Sequence, residues 1–249
     1  MRIFGLIGYP LTHSFSQRFF NDKFEKEQIY DVQYKQFSIS SIKDFPDILN
    51  SDKRIYGFNV TSPYKEEIIP FLDTLDIFAS AVNAVNVIKV IRDTSYVKLI
   101  GYNTDVYGFQ NSVKKKLNSK IKSALILGTG GAAKAVSFAL KKIGISYTFV
   151  SRNKSKDDNF LTYSELTKEI VENNLLIINA TPVGIFPEID DKPEIPYEFV
   201  SEKHYLFDLI YNPAETKFLL EGKKRNAQTE NGLEMLHLQA EKAWEIFSE

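Results

Sequence analysis

The sequence has no cysteine. That excludes disulfides, thiolate nucleophiles and cysteine-ligated zinc or iron–sulfur centres. Its three histidines show no metal-ligand spacing, so no metal site is expected. An excess of charge is missing too. The 31 basic and 32 acidic residues leave a formal net charge of −1, whereas nucleic-acid and membrane-surface binders favour a basic excess. No run of about 18 apolar residues occurs, and the chain reaches Gly8-Tyr-Pro10 before a secretory apolar stretch could form. The chain therefore reads as cytosolic, with no nucleic-acid or membrane partner. No internal repeat or low-complexity tract interrupts it. What remains is an ordinary globular composition, 43% apolar and 25% charged, in a chain long enough for one large or two modest domains.

Apolar β-type runs alternate with helical stretches, which predicts an α/β protein with a mainly parallel sheet. In the first hundred residues, strands are expected at 3–8, 32–37 and 54–60, and a helix at 16–26 with Phe19, Phe20 and Phe24 on one face. Ser62 followed by Pro63, Glu66 and Glu67 predicts a helix start: Ser caps, Pro takes the first position, and the acids meet the positive end of the dipole. A boundary is expected near 104–117, ahead of a charge-rich stretch at 111–122. Beyond it, strands are expected at 123–128, 146–150, 175–179 and 205–210, and helices at 132–143 and 233–247. The segment 183–197, with three prolines and several acids, is expected to be an exposed loop.

The strand at 123–128 runs into Gly128-Thr-Gly-Gly-Ala-Ala133 and then a helix, the context in which G-x-G-x-x-A signifies a dinucleotide site. Gly128 permits the tight turn, Gly130 lets backbone approach a pyrophosphate, and Ala133 allows close helix–strand packing, with the phosphates at the helix N-terminus. At the end of the next strand, an NAD site usually carries an acid for the ribose 2′-hydroxyl. Here stand Ser151, Arg152, Asn153, Lys154, Ser155 and Lys156. A basic cluster suits a 2′-phosphate, so NADP is preferred over NAD.

Lys65 follows the end of a predicted strand, beside Thr61, where open α/β sheets bind ligands. Asp105, in Asn103-Thr-Asp105, lies near the predicted boundary. A lysine and an aspartate converging on one cleft can hold a substrate hydroxyl and move its proton during hydride transfer. Ser14 and Ser16 alternate around Phe15 and offer two hydroxyl donors to a carboxylate, and His13 reads as structural.

In their order along the chain, these residues resemble the shikimate dehydrogenase family. The pattern G-x-P-x-x-H-S-x-S is met by Gly8, Pro10, His13, Ser14 and Ser16, and N-V-T-x-P-x-K by Asn59, Val60, Thr61, Pro63 and Lys65. A-V-N is met at Ala84-Val85-Asn86, and G-x-N-T-D at Gly101, Asn103, Thr104 and Asp105. N-A-T-x-x-G follows the glycine loop at Asn179, Thr181 and Gly184. D-x-x-Y-x-P-x-x-T is met by Asp208, Tyr211, Pro213 and Thr216, and Asn231 to Ala240 carries the terminal N-G-x-x-M-L-x-x-Q-A.

The resemblance implies reversible, NADPH-dependent reduction of 3-dehydroshikimate to shikimate, a step towards chorismate and the aromatic amino acids. By position, Ser14 and Ser16 would bind the substrate carboxylate with Tyr211 nearby. Thr61, Asn86, Asp105 and Gln239 would hold ring hydroxyls, and Lys65 and Asp105 would form the catalytic pair. Gly128, Gly130, Gly131, Ala132, Ser151, Arg152, Lys156, Thr181 and Gly232 would bind NADP. The family fold implies a substrate domain at 1–104 and a Rossmann-like NADP-binding domain at 105–231. A C-terminal helix at 232–249 would return to the substrate domain, in a monomer or homodimer.

Departures from the family pattern are Gln17 for the usual proline, Phe20-Asn21 for His-Asn, Asn83 for glycine, and Ser151-Arg152-Asn153 for Asn-Arg-Thr. Three other readings compete. A quinate/shikimate dehydrogenase using NAD would tend to alter the serine pair and need an acid near 151–153. A methylenetetrahydrofolate dehydrogenase would lack the serine and terminal motifs. A silent paralogue that only binds nucleotide or shikimate would commonly lose Lys65 or Asp105.

Overall fold

The structure, a computed structural model, describes residues 1–11, 15–153, 155 and 159–249. These divide into two compact units, residues 1–104 with 240–249, and residues 105–239.

In the first unit, β1 (Arg2–Gly8), β2 (Val32–Ser38), β3 (Ile55–Val60), β4 (Thr74–Leu75), β5 (Val87–Arg92) and β6 (Val97–Tyr102) form one sheet in the order β2-β1-β3-β5-β6-β4. The central β1 runs parallel to β2 and β3, with Gly8 opposite Ser38 and Ile7 opposite Val60, so the three strands finish at one edge. Because successive side chains face opposite ways, Ile3 and Ile7 enter one core with Phe58, Val60 and Ile88. Phe4 and Leu6 enter another with Phe20, Tyr34, Val87 and Phe247. Burial on both faces is why β1 reads as an apolar run without alternation. Helix α1 (Phe15–Lys26) buries Phe20 and Phe24, one turn apart, against the second core. Helices α2 (Phe45–Ser51) and α3 (Ile77–Val82) complete the unit.

Two features differ from the sequence expectation. β5 runs antiparallel to both neighbours, in a hairpin with β6. Asp93 closes it by donating its N–H to the Tyr96 carbonyl (3.0 Å) and accepting the Thr94 N–H on its carboxylate (2.6 Å). The turn contains no glycine, so the usual hairpin signal is missing. The helix expected from Pro63 does not form: residues 62–68 make successive turns, followed by a 3-10 turn over Ile69–Phe71. The Lys65 carbonyl, needed for the helical ladder, instead accepts the Val85 N–H at 2.7 Å, and the Ile69 N–H goes to Glu66. A tertiary bond has taken the place of a local one.

In the second unit, β7 (Ser123–Leu127), β8 (Ser146–Ser151), β9 (Phe160–Thr162), β10 (Leu176–Asn179), β11 (Tyr205–Asp208) and β12 (Gln228–Glu230) pair in the order β12-β11-β10-β7-β8-β9. Every pairing is parallel. Read from the β9 edge, this is the third, second, first, fourth, fifth and sixth strand. That is the doubly wound order, with its switch point between β7 and β10. β9 and β12 are three-residue edge strands, too short to leave a periodic signal. Helices are α4 (Asp105–Lys114), α5 (Gly131–Lys142), α6 (Lys168–Asn173), α7 (Lys217–Lys223) and α8 (Leu233–Ser248).

The division between units passes through α8: residues 233–239 group with the second unit and 240–248 with the first. In the first unit, Ala240, Ala243, Ile246 and Phe247 join the aromatic core. In the second, a Cβ on Gly108 of α4 would lie 2.7 Å from the Met235 carbonyl oxygen and 3.0 Å from Gln239 Cβ. Only glycine lets the two helix backbones approach this closely.

The segment 183–197 is exposed only in part. Residues 185–191 are exposed, but Pro193, Ile195 and Tyr197 are buried. Lys192 reaches back to Glu221 of α7 (3.3 Å) and lies 4.7 Å from the Tyr197 ring centroid. Among the described residues, no helix is long and apolar enough to cross a membrane.

Candidate functional site

Each unit gathers candidate residues at the C-terminal ends of its parallel strands, where the backbone leaves the sheet and its polar groups become available. In the first unit, the end of β3 is bonded on both sides. The Thr61 N–H donates to Ile7 (2.9 Å), and the Val60 N–H to the Asn86 carbonyl (2.9 Å). The loop after β1 crosses so near that a Cβ on Gly8 would lie 2.4 Å from Thr61 Cγ2. The bond from Val85 to the Lys65 carbonyl sets Lys65 beside Asn86 in the backbone. Asn86, 3% exposed, is held by Thr104: its Nδ2 donates to Thr104 Oγ1 (2.9 Å) and its Oδ1 accepts the Thr104 N–H (2.8 Å). Asn103 Nδ2 bonds the Ala84 carbonyl (2.9 Å). Thr61, Lys65 and Asn86, which come from two separate motifs, are thus drawn into one cluster.

Ser14 and His13 lie outside the described residues. Ser16, at the start of α1, forms a side-chain hydrogen bond with Tyr34 on β2, and the Tyr34 hydroxyl donates to Asn59 Oδ1 at 2.7 Å. Burial pushes the Tyr34 phenol well above its ordinary range, with the Ser16 bond opposing. This chain ties the serine segment to the Asn59–Lys65 segment. Tyr34 belongs to no sequence motif. Its only signal is an aromatic hydroxyl on a buried strand, and such a group needs a partner. Phe20, the departure from the family's histidine, stacks on Tyr34 with centroids 4.4 Å apart and planes at 17°. Asn83, which replaces the usual glycine, takes φ 51° and ψ 43° as the C-cap of α3. That is the left-handed conformation glycine adopts freely and asparagine tolerates.

In the second unit, Gly128 closes β7 with φ 106° and donates its N–H to Val150 (2.8 Å). A Cβ there would meet the Ala180 carbonyl oxygen at 3.0 Å and Thr181 Cγ2 at 3.1 Å. Gly130 is the N-cap of the twelve-residue α5, and a Cβ on it would meet nothing within 4 Å. Gly131 and Ala132 open the helix, while Ala133 is wholly buried. Backbone N–H groups of a long helix therefore face open space at the sheet's switch point. This arrangement fits a dinucleotide pyrophosphate. Ser151 ends β8 with its hydroxyl bonded to the Asn153 carbonyl, and Arg152 is exposed beside it. Lys156 lies outside the described residues. Gly232 donates its N–H to Ile210 (3.1 Å), and a Cβ there would fall 2.1 Å from the Leu209 carbonyl oxygen.

Asp105 is the first residue of α4, 6% exposed, and follows Thr104 directly. Tyr211 is half-buried, which raises its phenol above the ordinary range. Gln239 donates its Nε2 to the Leu236 carbonyl (3.0 Å). These three belong to the second unit, whereas Lys65, Thr61 and Asn86 belong to the first. Among the described residues, no group of three or more His, Asp or Glu side chains could hold a metal ion.

Residues 6–88 match the family model described as the shikimate dehydrogenase substrate binding domain. The shikimate dehydrogenase (NADP(+)) of Methanococcus maripaludis strain S2 is 38% identical over 263 residues, spanning 99% of this chain and 92% of that protein. A shikimate dehydrogenase solved in complex with NADP+ superposes with a TM-score of 0.86 at 35% identity, covering 100% of this chain and 90% of that one. The Thermus thermophilus shikimate 5-dehydrogenase, solved with NADP(H) and shikimate, gives a TM-score of 0.84 at 28% identity, covering 100% of this chain and 94% of that one.

Proposed function

The chain belongs to the shikimate dehydrogenase family, and from that premise we propose that it catalyses the reversible reduction of 3-dehydroshikimate to shikimate with NADPH. One observation carries the reading. Thr61, Lys65 and Asn86 are tied into one strand-end cluster by backbone bonds, in a chain whose second unit offers an open glycine cradle. In this reading the first unit binds the substrate and the second binds NADP. The protein is a cytoplasmic monomer or homodimer without nucleic-acid or membrane partners.

Ser14 and Ser16 donate hydroxyl hydrogen bonds to the substrate carboxylate, and Tyr211 supports it. Thr61, Asn86, Asp105 and Gln239 take the ring hydroxyls. NADPH, when bound, supplies the hydride for the carbonyl carbon. As negative charge grows on the substrate oxygen, Lys65 donates a proton to it from Nζ. In the reverse direction Lys65 receives the hydroxyl proton. Asp105 accepts a hydrogen bond from the neighbouring hydroxyl and keeps the ring in register with Lys65. The balance is 3-dehydroshikimate, NADPH and one proton giving shikimate and NADP+. Arg152, with no acid at 151–153, supports preference for the 2′-phosphate.

The test is shikimate oxidation by purified protein, followed by reduced-nicotinamide absorbance, with NADP+ and NAD+ compared and quinate as second substrate. Turnover with shikimate and NADP+ well above the other pairs is expected. Preference for quinate with NAD+ would replace this reading by the quinate subtype, and NADP+ binding without turnover would replace it by a silent binder.

A further inference from the structure

Two motifs outside the catalytic assignment meet in the second unit. Asn179 ends β10 and Asp208 ends β11, the two residues are paired in register, and both are completely buried. Neither can touch a ligand. Asn179 Nδ2 donates to Asp208 Oδ1 (3.0 Å) and to the Val183 carbonyl (3.3 Å). Asn179 Oδ1 accepts the Thr181 N–H (3.1 Å) and the Thr181 hydroxyl (2.6 Å), and Thr181 Oγ1 accepts the Val183 N–H (3.2 Å). Asp208 Oδ1 also accepts the Ile210 N–H (3.0 Å), and its Oδ2 accepts the Thr216 hydroxyl (2.6 Å). Thr216 in turn caps α7 through the Leu219 N–H (3.3 Å).

The network has a direct consequence for the cofactor cradle. The Thr181 hydroxyl is committed to Asn179 and Val183. What Thr181 presents to Gly128 is its methyl group, near where a Gly128 Cβ would stand. On the other side, Ile210, whose N–H the network holds, accepts the Gly232 N–H. The loop against Gly128 and the loop against Gly232 are therefore both held from beneath by one amide–carboxylate pair.

We propose that Asn179 and Asp208 are positioning residues for NADP, setting the loop at 180–184 against the glycine turn and the loop at 209–211 against Gly232, so that Thr181 acts by its shape and backbone rather than by its hydroxyl. This rests on the NADP reading above. Position 179 needs an amide, because it must donate to a carboxylate and accept from Thr181 at once. An acid there would place two carboxylates in hydrogen-bond contact, and one would have to hold a proton.

The experiment is calorimetric titration of NADP+ and, separately, of shikimate into wild type, Asn179→Asp, and the double variant Asn179→Asp with Asp208→Asn, at about pH 8 where a carboxylate pair is most strained, with circular dichroism to establish folding. Asn179→Asp is expected to weaken NADP+ binding by about tenfold or more, the scale of a misplaced contact. Shikimate binding should be unchanged, and the double variant, which relieves the carboxylate contact but leaves the Val183 carbonyl without its donor, should recover at most part of the loss. A folded Asn179→Asp protein with wild-type NADP+ affinity, an equal loss for both ligands, or full recovery in the double variant would overturn the proposal. If Asn179→Asp does not fold, the near-isosteric Thr216→Val is titrated in the same way: weaker NADP+ binding with intact shikimate binding supports the proposal, and unchanged NADP+ binding overturns it. Failure of the wild type to bind NADP+ would remove the functional reading itself, whereas wild-type binding with unaffected variants removes only this inference.

Discussion

Asp208 makes stability depend on pH in an unusual direction. Burial, partly offset by the bonds from Thr216, Ile210 and Asn179, raises its carboxyl from the ordinary range to about 6. The folded state therefore holds this proton more tightly than the unfolded chain, whose aspartates titrate near ~3.9. The stability that goes with the bound proton is fully present below the unfolded value. It is lost as pH rises through that value to the folded one, and above about 6 none of it remains. Each pH unit of separation carries ~1.4 kcal/mol, so the loss amounts to about 3 kcal/mol. Asp208→Asn removes the titration and keeps an acceptor for Asn179 and Ile210, while the Thr216 hydroxyl turns to accept. Scanning calorimetry of both proteins from about pH 4 to 7.5 should show the wild type losing ground to the variant by roughly 10 °C in Tm. A wild-type-minus-variant difference that is flat across this window, or that grows in favour of the wild type as pH rises, would refute the burial argument.

Other outcomes can be measured directly. Lys65→Ala should lower kcat for shikimate oxidation by at least ~10²-fold, and a near-unchanged rate would remove Lys65 from the chemistry. Gly128→Ala forces a side chain into φ 106° and against the Ala180 carbonyl, so weaker NADP+ binding and a loss of at least ~1 kcal/mol in denaturant titration are expected. Phe20→Ala empties a fully buried site stacked on Tyr34 and should cost about 3–5 kcal/mol, read by the fluorescence of the adjacent Trp244. Asn83→Gly, which relaxes a left-handed cap, should leave stability within about 1 kcal/mol, whereas Asn83→Val should be clearly destabilising by the same assay.

Much of the site is legible in the sequence because its signals are local. The glycine turn after an apolar strand is a short-range geometric demand, and Gly128 and Gly130 meet it where the pattern places them. The Pro63 segment misleads for the opposite reason. Its capping residues are sound, but the Lys65 carbonyl is taken by Val85, twenty residues away, and no local pattern records that. The roles of Tyr34, Asn179 and Asp208 are equally invisible, since each depends on a partner in another strand. One trace is present. Asn59, Asn179 and Asp208 all stand at or next to the end of an apolar strand, where a polar residue must find a partner.

The sequence by itself determined most element types, the parallel α/β pattern with its glycine turn in the second half, the family resemblance, and a set of candidate site residues. The first two follow from periodicity and turn stereochemistry, the last two chiefly from motifs met in order along the chain. Only the tertiary structure decided that β5 runs antiparallel and that Lys65 sits beside Asn86. It alone showed that α8 divides between two units and that a buried amide–carboxylate pair underlies the loops at 180–184 and 209–211. These depend on which distant backbone and side-chain groups satisfy one another once water is excluded, and burial makes that pairing obligatory.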